Sequence, residues 1–227
     1  MASDFSEQLA GVAALADPVR RRLYEHLVAQ PDAVSRDEAA EAAGIKRPLA
    51  AFHLDKMVDE GLLEVEYRRL SGRTGPGAGR PSKLYRRSAR EFDVTLPPRE
   101  YDVVGRVLAA GIQRAADTGE DVLTSVRSAA FAGGQELGRG GQGDALDALL
   151  STLSEHGYEP RPEDGGVALI NCPFHALSQD FTSLVCGMNL ALCQGLADAV
   201  ELGAVGLEPR LQPQPDRCCV AFVPTEA

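Results

Sequence analysis

Five cysteines are the side chains of this 227-residue sequence best suited to metal or redox chemistry, and all lie between residues 172 and 219. They are Cys172, Cys186, Cys193, Cys218 and Cys219. Cys172 and His175 have a spacing typical of metal ligands, and Cys186 follows 14 residues after Cys172. Thiolates are the ligands of zinc and of iron–sulfur clusters. The pattern therefore predicts a metal site in this region.

The five cysteines are not equivalent. Cys193 shares an apolar helix face with Leu190 and Ala197, which predicts a core residue rather than a ligand. Cys218 and Cys219 fall on a predicted strand, where neighbouring side chains point to opposite faces, so only one of the two is expected to face a site. Which one faces it stays open, as does the role of His175 as a ligand or as a hydrogen-bonded structural residue.

Basic residues form the second chemically suggestive group. The whole chain has 23 Lys and Arg against 33 Asp and Glu, which gives a net charge of −10. Residues 1–90 nevertheless hold 15 basic and 13 acidic residues, and the stretch 67–90 contains eight cations and no acid. These cations are Arg68, Arg69, Arg73, Arg80, Lys83, Arg86, Arg87 and Arg90. Because local charge decides nucleic-acid binding, we expect this region to contact DNA.

Capping signals predict the elements that position these cations. Ser35 and Glu38 form a capping box before a helix over 36–43, which stops at Gly44. A second helix is predicted from Pro48 to about Glu60. Two helices joined by a tight turn are typical of a helix-turn-helix. Strands over 62–70 and 83–87, with a Gly/Pro-rich loop between them, complete a winged helix-turn-helix domain.

Ten residues of this domain are predicted to contact DNA. They are Lys46, Arg47, Pro48, Ala51, Phe52, His53, Lys56, Arg73, Arg80 and Lys83. The first half of the second helix is expected to enter the major groove, where Arg47 suits a guanine and Ala51 or Phe52 suits a thymine methyl group.

The other members of this set suit the DNA backbone. Lys46, His53 and Lys56 are better placed for phosphates, although His53 is equally compatible with a structural role. Arg73 and Arg80 are expected to contact phosphates or to enter a minor groove.

The rest of the chain predicts a mixed architecture. A long amphipathic helix over 99–117 presents Val104, Leu108, Gly111 and Ala115 as one stripe and is a candidate dimer contact. Further helices and short strands follow. The fold class is mainly α with an α+β part, divided into a DNA-binding domain (1–95), a helical linker and dimerisation region (96–140) and a cysteine-containing sensor domain (141–227).

Residues 10–90 resemble the winged-helix regulators of the ArsR-like group. The resemblance rests on five segments: Ala16-Asp17-Pro18-Val19-Arg20, Gly44-Ile45, His53-Leu54, Gly61-Leu62-Leu63 and Gly79-Arg80-Pro81-Ser82-Lys83-Leu84-Tyr85. The last segment is the most specific and is similar to the wing of SufR-like regulators of iron–sulfur cluster assembly. One departure is Pro48-Leu49-Ala50-Ala51-Phe52, where polar Ser and Thr residues are usual.

The same resemblance extends to the cysteines. It implies an iron–sulfur cluster held by Cys172, Cys186 and either Cys218 or Cys219, with zinc as the alternative metal. It also implies a homodimer that reads an inverted-repeat operator in double-stranded DNA.

The expected function is therefore a DNA-binding transcription regulator that senses a metal, an iron–sulfur cluster or redox state, and not an enzyme. One alternative is a winged-helix regulator of a small organic effector, with structural cysteines. Another, a thiol enzyme using Cys172 and His175, lacks an evident Asp or Asn partner. With no membrane segment and no signal peptide expected, we predict a cytoplasmic location with reduced thiols.

Overall fold

A computed structural model describes residues 5–69, 81–141 and 143–225 and divides the chain into two compact units, Met1–Val94 and Thr95–Ala227. Both units combine helices with a small antiparallel sheet. The predicted helical region 96–140 and the predicted sensor region 141–227 lie together in the second unit. No helix in the described ranges has the length and apolar character needed to cross a bilayer.

The first unit has the predicted helices and hairpin. Its elements are α1 (Phe5–Ala14), α2 (Pro18–Val28), β1 (Val34–Ser35), α3 (Arg36–Ala43), α4 (Arg47–Asp59), β2 (Leu63–Arg68) and β3 (Ser82–Arg87). The sheet order is β1-β3-β2, and Tyr85 on β3 pairs with both Val34 and Val65. Leu23, Leu54 and the fully buried Tyr85 belong to one core. The helices therefore pack on the hairpin that follows them.

Local capping explains where α2 begins and where α3 begins and ends. The Asp17 carboxylate accepts hydrogen bonds from the backbone N–H groups of Val19 and Arg20, at 2.8 and 3.0 Å. The capping box of Ser35 and Glu38 is formed. Gly44 has φ 64° and ψ 35°, a left-handed conformation that suits glycine and turns the chain from α3 into α4.

The second unit places helices on a four-stranded sheet. Its elements are α5 (Tyr101–Thr118), α6 (Val122–Gly138), α7 (Ala145–Glu155), β4 (Pro160–Glu163), β5 (Gly166–Leu169), α8 (His175–Asp180), α9 (Thr182–Ala199), a 3-10 turn (Leu202–Val205), β6 (Leu207–Leu211) and β7 (Val220–Pro224). The antiparallel order is β4-β5-β7-β6. The core includes the buried residues Val167, Leu192 and Phe222.

Helix α5 buries part of its apolar stripe inside the chain. Val104, Val107 and Gly111 are buried, and a Cβ atom on Gly111 would lie 2.6 Å from the Cα atom of Val126 on α6. Those positions are therefore occupied by α6. Ile112, on the flank of the stripe, remains 58% exposed. This flank of α5 is therefore accessible for the predicted dimer contact.

Helices α6 and α9 touch through their backbones. A Cβ atom added to Gly195 would lie 1.9 Å from the Phe131 carbonyl oxygen, and one added to Gly134 would lie 1.9 Å from the Leu192 carbonyl oxygen. Neither position has room for a methyl group. The crossing of α6 and α9 therefore requires glycine on both helices.

We expect Gly195→Ala to lower the free energy of unfolding by about 1–3 kcal/mol, because the methyl group forces the two helices apart. The matched control is Gly133→Ala, where the added Cβ would have its nearest atom 3.5 Å away and helix propensity favours alanine. Urea unfolding followed by circular dichroism measures both. Equal stability of the two variants would contradict the backbone contact.

Candidate functional site

The N-terminal half of α4 presents an accessible surface. Lys46, Arg47 and Pro48 are exposed, and the Phe52 side chain is 63% exposed although it is aromatic. The opposite face of α4 carries the buried residues Ala50, Leu54 and Met57. The predicted base-contacting residues Arg47, Pro48 and Phe52 therefore lie on the outward side, and Ala51 is half-buried.

His53 lies on a different side of α4. It is only 7% exposed, and its buried Nδ1 atom has no hydrogen-bond partner. Burial favours the structural role that the sequence left open, and contact with a phosphate stays a prediction.

The predicted cations on α4 have acidic neighbours at the surface. Arg47 Nε lies 2.6 Å from Asp37 Oδ1, with side chains that are 60% and 71% exposed. Lys56 pairs with Glu60 one helical turn later. Exposed pairs of this kind contribute little free energy, so both cations are free to exchange their partner for a DNA group. Arg73 and Arg80 lie outside the described residues.

Lys83 belongs to a cluster of four side chains centred on Asp55 of α4. Asp55 Oδ1 accepts hydrogen bonds from Lys83 Nζ and from the Tyr85 hydroxyl, both at 2.6 Å. Arg36 Nη2 donates to Asp55 Oδ2 at 2.9 Å, and Arg36 Nε donates to the Tyr85 hydroxyl at 2.7 Å. The cluster joins α3, α4 and β3. Lys83, which the sequence predicts to contact DNA, thus has a partner inside the protein.

The cluster shifts the acidity of its members. Partial burial acts to raise the pKa of Asp55, but hydrogen bonds from Lys83 and Tyr85, together with the charge of Arg36, hold that pKa below its ordinary value. Burial raises the pKa of Tyr85. Asp55 is therefore a carboxylate at neutral pH, as its two cationic neighbours require.

Four of the five cysteines meet in the second unit. The Cys172 thiol lies near Cys218, Cys218 near Cys219, and Cys219 near Cys186, close enough for each pair to affect the pKa of one of its members. These contacts form the thiol cluster of Cys172, Cys186, Cys218 and Cys219. Three segments supply it: the loop after β5, the first half of α9 and the loop before β7. Cys172 and Cys218 are buried, whereas Cys186 and Cys219 are partly exposed.

The position of the final cysteine pair corrects one sequence interpretation. Cys218 and Cys219 precede β7, which begins at Val220, instead of lying on the strand. The backbone N–H of Cys218 bonds to the Leu169 carbonyl oxygen at 2.9 Å, and Gln212 N–H bonds to the Cys219 carbonyl oxygen at 2.8 Å. Strand alternation does not apply there, and both thiols belong to the cluster.

A buried asparagine connects the cluster to the helical core. Asn189 on α9 is fully buried, and its Nδ2 atom donates to Cys218 Sγ at 3.2 Å. Its Oδ1 atom accepts a hydrogen bond from the Tyr158 hydroxyl at 2.6 Å and faces Cys193 Sγ at 3.8 Å. Cys193 is buried to 1% exposure, as its apolar helix face predicts, and lies beside the cluster.

The acidity of the thiols follows from burial and from their mutual contacts. The neighbouring Cys218 thiol, together with burial, raises the pKa of Cys172. The contact with Cys172 acts to lower the pKa of Cys218, but the contact with Cys219 and burial outweigh it and raise that pKa to about 11. Burial also raises the pKa of Cys186. These three thiols are therefore protonated at neutral pH when no metal is bound.

The donor chemistry of the cluster fits a thiophilic metal, because four sulfur atoms are ligands that zinc and iron–sulfur clusters accept. The four thiols follow one another as neighbouring pairs, and the pKa values of Cys172, Cys186 and Cys218 are raised. Across residues 5–69, 81–141 and 143–225, no three His, Cys, Asp or Glu side chains are arranged to hold a metal ion as they stand. Metal binding would thus require loss of protons and convergence of the sulfurs. His175 begins α8 with an exposed side chain.

Residues 15–66 match the family model of a helix-turn-helix domain. The chain therefore has an N-terminal helix-turn-helix domain, which indicates a DNA-binding transcription regulator. The match covers α2, α3, α4 and most of β2, and it ends before the second unit. No curated protein and no solved structure matches the chain.

Sequence reasoning missed Arg36, Asp55, Tyr85 and Asn189. The Asp55 cluster joins residues 19 to 49 positions apart, so only the folded chain brings them together. A signal was nevertheless present, because an acid in the middle of a helix predicted to face DNA needs a cationic partner. Asn189 gives a weaker signal, as a polar residue within an apolar helix.

The depressed pKa of Asp55 predicts a pH dependence of stability. A carboxyl group whose pKa is lower in the folded state stabilises that state above its unfolded pKa of about 3.9, and this contribution is lost as pH falls through the folded pKa. We therefore expect the difference in unfolding free energy between wild type and Asp55→Asn to shrink between about pH 5 and pH 3.

Urea unfolding at a series of pH values measures this difference. Asp59→Asn on the same helix is the control and should follow the wild-type pH profile, because the exposed Asp59 lies outside the cluster. A difference between wild type and Asp55→Asn that stays constant with pH would contradict the assigned interaction.

Proposed function

We propose that this chain is a cytoplasmic, homodimeric transcription regulator that binds double-stranded DNA through its helix-turn-helix unit. We further propose that its second unit senses a metal ion, an iron–sulfur cluster or redox state through the thiol cluster. The observation that most directly supports a DNA-binding regulator is the exposure of the N-terminal half of α4 within the segment that matches the helix-turn-helix family model.

Several features of α4 support contact with DNA. Its N-terminus presents Lys46 and Arg47 to solvent, and the helix dipole adds positive potential at that end. The exposed Phe52 ring supplies an apolar surface that suits a thymine methyl group. The hairpin β2–β3 adds further exposed cations, including Arg87. This unit thus combines base-contacting and phosphate-contacting groups.

A dimer explains how such a unit reads an operator. Two copies related by a twofold axis would place two α4 helices on two half-sites of an inverted repeat. The exposed Ile112 on α5, followed by Val122 and Leu123 at the start of α6, offers apolar surface for the partner chain. We therefore place the dimer contact on this end of the α5–α6 pair.

The thiol cluster supports the sensing role. A ligand held by Cys172, Cys186, Cys218 and Cys219 would tie together three segments of the second unit that are distant in sequence. Helix α9, which carries Cys186, packs on α6, and α6 packs on α5. A ligand that binds one dimer arrangement more tightly than another would shift the population between them and alter operator affinity.

One observation favours a second candidate function. Cys172 and Cys218 are 8% and 3% exposed, as expected of core residues, and the described side chains hold no ready-made metal site. In this alternative, the DNA-binding unit is the same but the second unit responds to a small organic effector. The cysteines are then structural.

The DNA-binding proposal is tested by selecting duplexes from a random 30-base-pair library with the purified protein. We expect enrichment of an inverted repeat, and Arg47→Ala should weaken binding to the selected duplex by about 1–3 kcal/mol if Arg47 binds a guanine. Arg22→Ala, an exposed cation on α2, is the control and should bind as wild type does. A protein that ignores duplex DNA at low salt would refute the proposal.

The sensing proposal is tested by anaerobic purification followed by an absorbance spectrum and metal analysis. We expect a brown protein with bound iron and sulfide, or a colourless one with stoichiometric zinc, and loss of the metal in Cys172→Ser. Cys193→Ala should retain the metal, because Cys193 lies outside the thiol cluster. Wild-type protein without metal would shift support to the organic effector.

A further inference from the structure

Asp55 is an acidic residue on the helix that is proposed to enter the major groove. It lies between the exposed Phe52 and Lys56 in the sequence, and its side chain is 42% exposed. A carboxylate near the phosphates of DNA weakens binding by electrostatic repulsion. Its presence on α4 therefore requires a role that outweighs this repulsion.

The contacts of Asp55 indicate that role, because they join three elements at one carboxylate. Lys83 and Tyr85 reach it from β3, and Arg36 reaches it from α3. The Arg36 guanidinium and the Lys83 ammonium also lie over the Tyr85 ring, at 5.6 and 5.1 Å from its centre. Charge-assisted hydrogen bonds of this kind are short and directional.

Tyr85 anchors the cluster in the core. Its side chain is fully buried, and β-sheet pairing fixes its backbone against Val34 and Val65. The hydroxyl group donates to Asp55 and accepts from Arg36. A buried aromatic side chain with two defined hydrogen bonds has little freedom. The distance and orientation between α4 and β3 are therefore fixed at this point.

We propose that Asp55 is a positioning residue of the DNA-binding surface, which holds the hairpin β2–β3 in register with α4. Lys83 and Arg36 then serve as partners of Asp55 instead of contacting phosphates. This inference rests on the proposed DNA binding and adds to it the residue that sets the geometry. It reassigns Lys83, which the sequence predicts to contact DNA.

The consequence concerns the exposed cations of the hairpin. They are Arg68, Arg69, Arg86 and Arg87. They reach phosphates beside the groove that α4 occupies only if the hairpin keeps its orientation to α4. Loss of Asp55 thus removes phosphate contacts at a distance from the substitution, although the protein gains one unit of net positive charge.

The loss of the Asp55 charge and the loss of hairpin positioning change DNA affinity in opposite directions, so the variant Asp55→Asn distinguishes the two effects. Simple electrostatics predicts tighter DNA binding and a steeper dependence on salt. Positioning predicts binding about tenfold weaker, and a slope of log affinity against log salt concentration reduced by about 1.8, which corresponds to two lost phosphate contacts. The probe is the duplex selected by the wild-type protein, and fluorescence anisotropy from about 50 to 200 mM salt measures both quantities.

Asp59→Asn is the matched control, because it removes the same charge from the same helix outside the cluster. It should bind DNA as tightly as wild type or more tightly. Asp55→Asn that behaves like Asp59→Asn would overturn the inference. Wild-type protein that fails to bind any duplex would instead refute the proposed function, so the two failures are distinguishable.

A second variant addresses folding. Tyr85→Phe keeps the buried ring but removes the hydroxyl that links Arg36 to Asp55, and it should reduce the salt slope in the same direction.

Lys83→Met in the Asp55→Asn background should change DNA affinity less than twofold further, because the partner of Lys83 is already gone. A loss of about 0.9 in slope on this second step would identify Lys83 as a phosphate contact and overturn its reassignment.

Discussion

Contact between the backbones of α6 and α9 is the constraint on which the second unit depends. Because Gly134 and Gly195 have no side chains, the two helices approach until main-chain atoms touch. Helix α9 carries Cys186 and Asn189, and it also packs on β6 and β7. The depth at which α9 sits therefore decides whether the thiols from the two loops meet those of the helix. Helix packing therefore determines whether the four thiols of the cluster come together.

The two units use polar groups in a similar way. In the first, Asp55 joins three elements at the surface, and in the second, Asn189 joins α9 to the loop before β7 and, through Tyr158, to the loop after α7. Partly or fully buried polar atoms are costly unless each has a partner, so such groups specify one arrangement more strongly than apolar contacts do. Each candidate site is built around one of these junctions.

The parts of the fold that follow local rules were predictable from the sequence. Asp17 caps the start of α2, Ser35 caps the start of α3 and Gly44 ends α3, and these signals are local because caps act on neighbouring backbone groups. Two strands escaped prediction for physical reasons. Strand β4 contains Pro160 and Pro162, has no apolar alternation and exists through its pairing with β5, and β1 is only two residues long. The sequence predicted that Cys172, Cys186 and one of the final cysteine pair would lie near one another, but not that both Cys218 and Cys219 would, because their placement before β7 depends on long-range backbone pairing.

The orientation of the Asn189 amide has a consequence for the sulfur beside it. Its oxygen is occupied by the Tyr158 hydroxyl, so the amide can offer Cys218 only an N–H group. The backbone N–H of Val220 also acts to lower the pKa of the Cys218 thiol. Both neighbours donate, and an electron-rich sulfur that has given up its hydrogen accepts such bonds better than a neutral one. These N–H groups thus favour a thiolate at Cys218, but burial and the contact with Cys219 outweigh them and keep the thiol protonated at neutral pH.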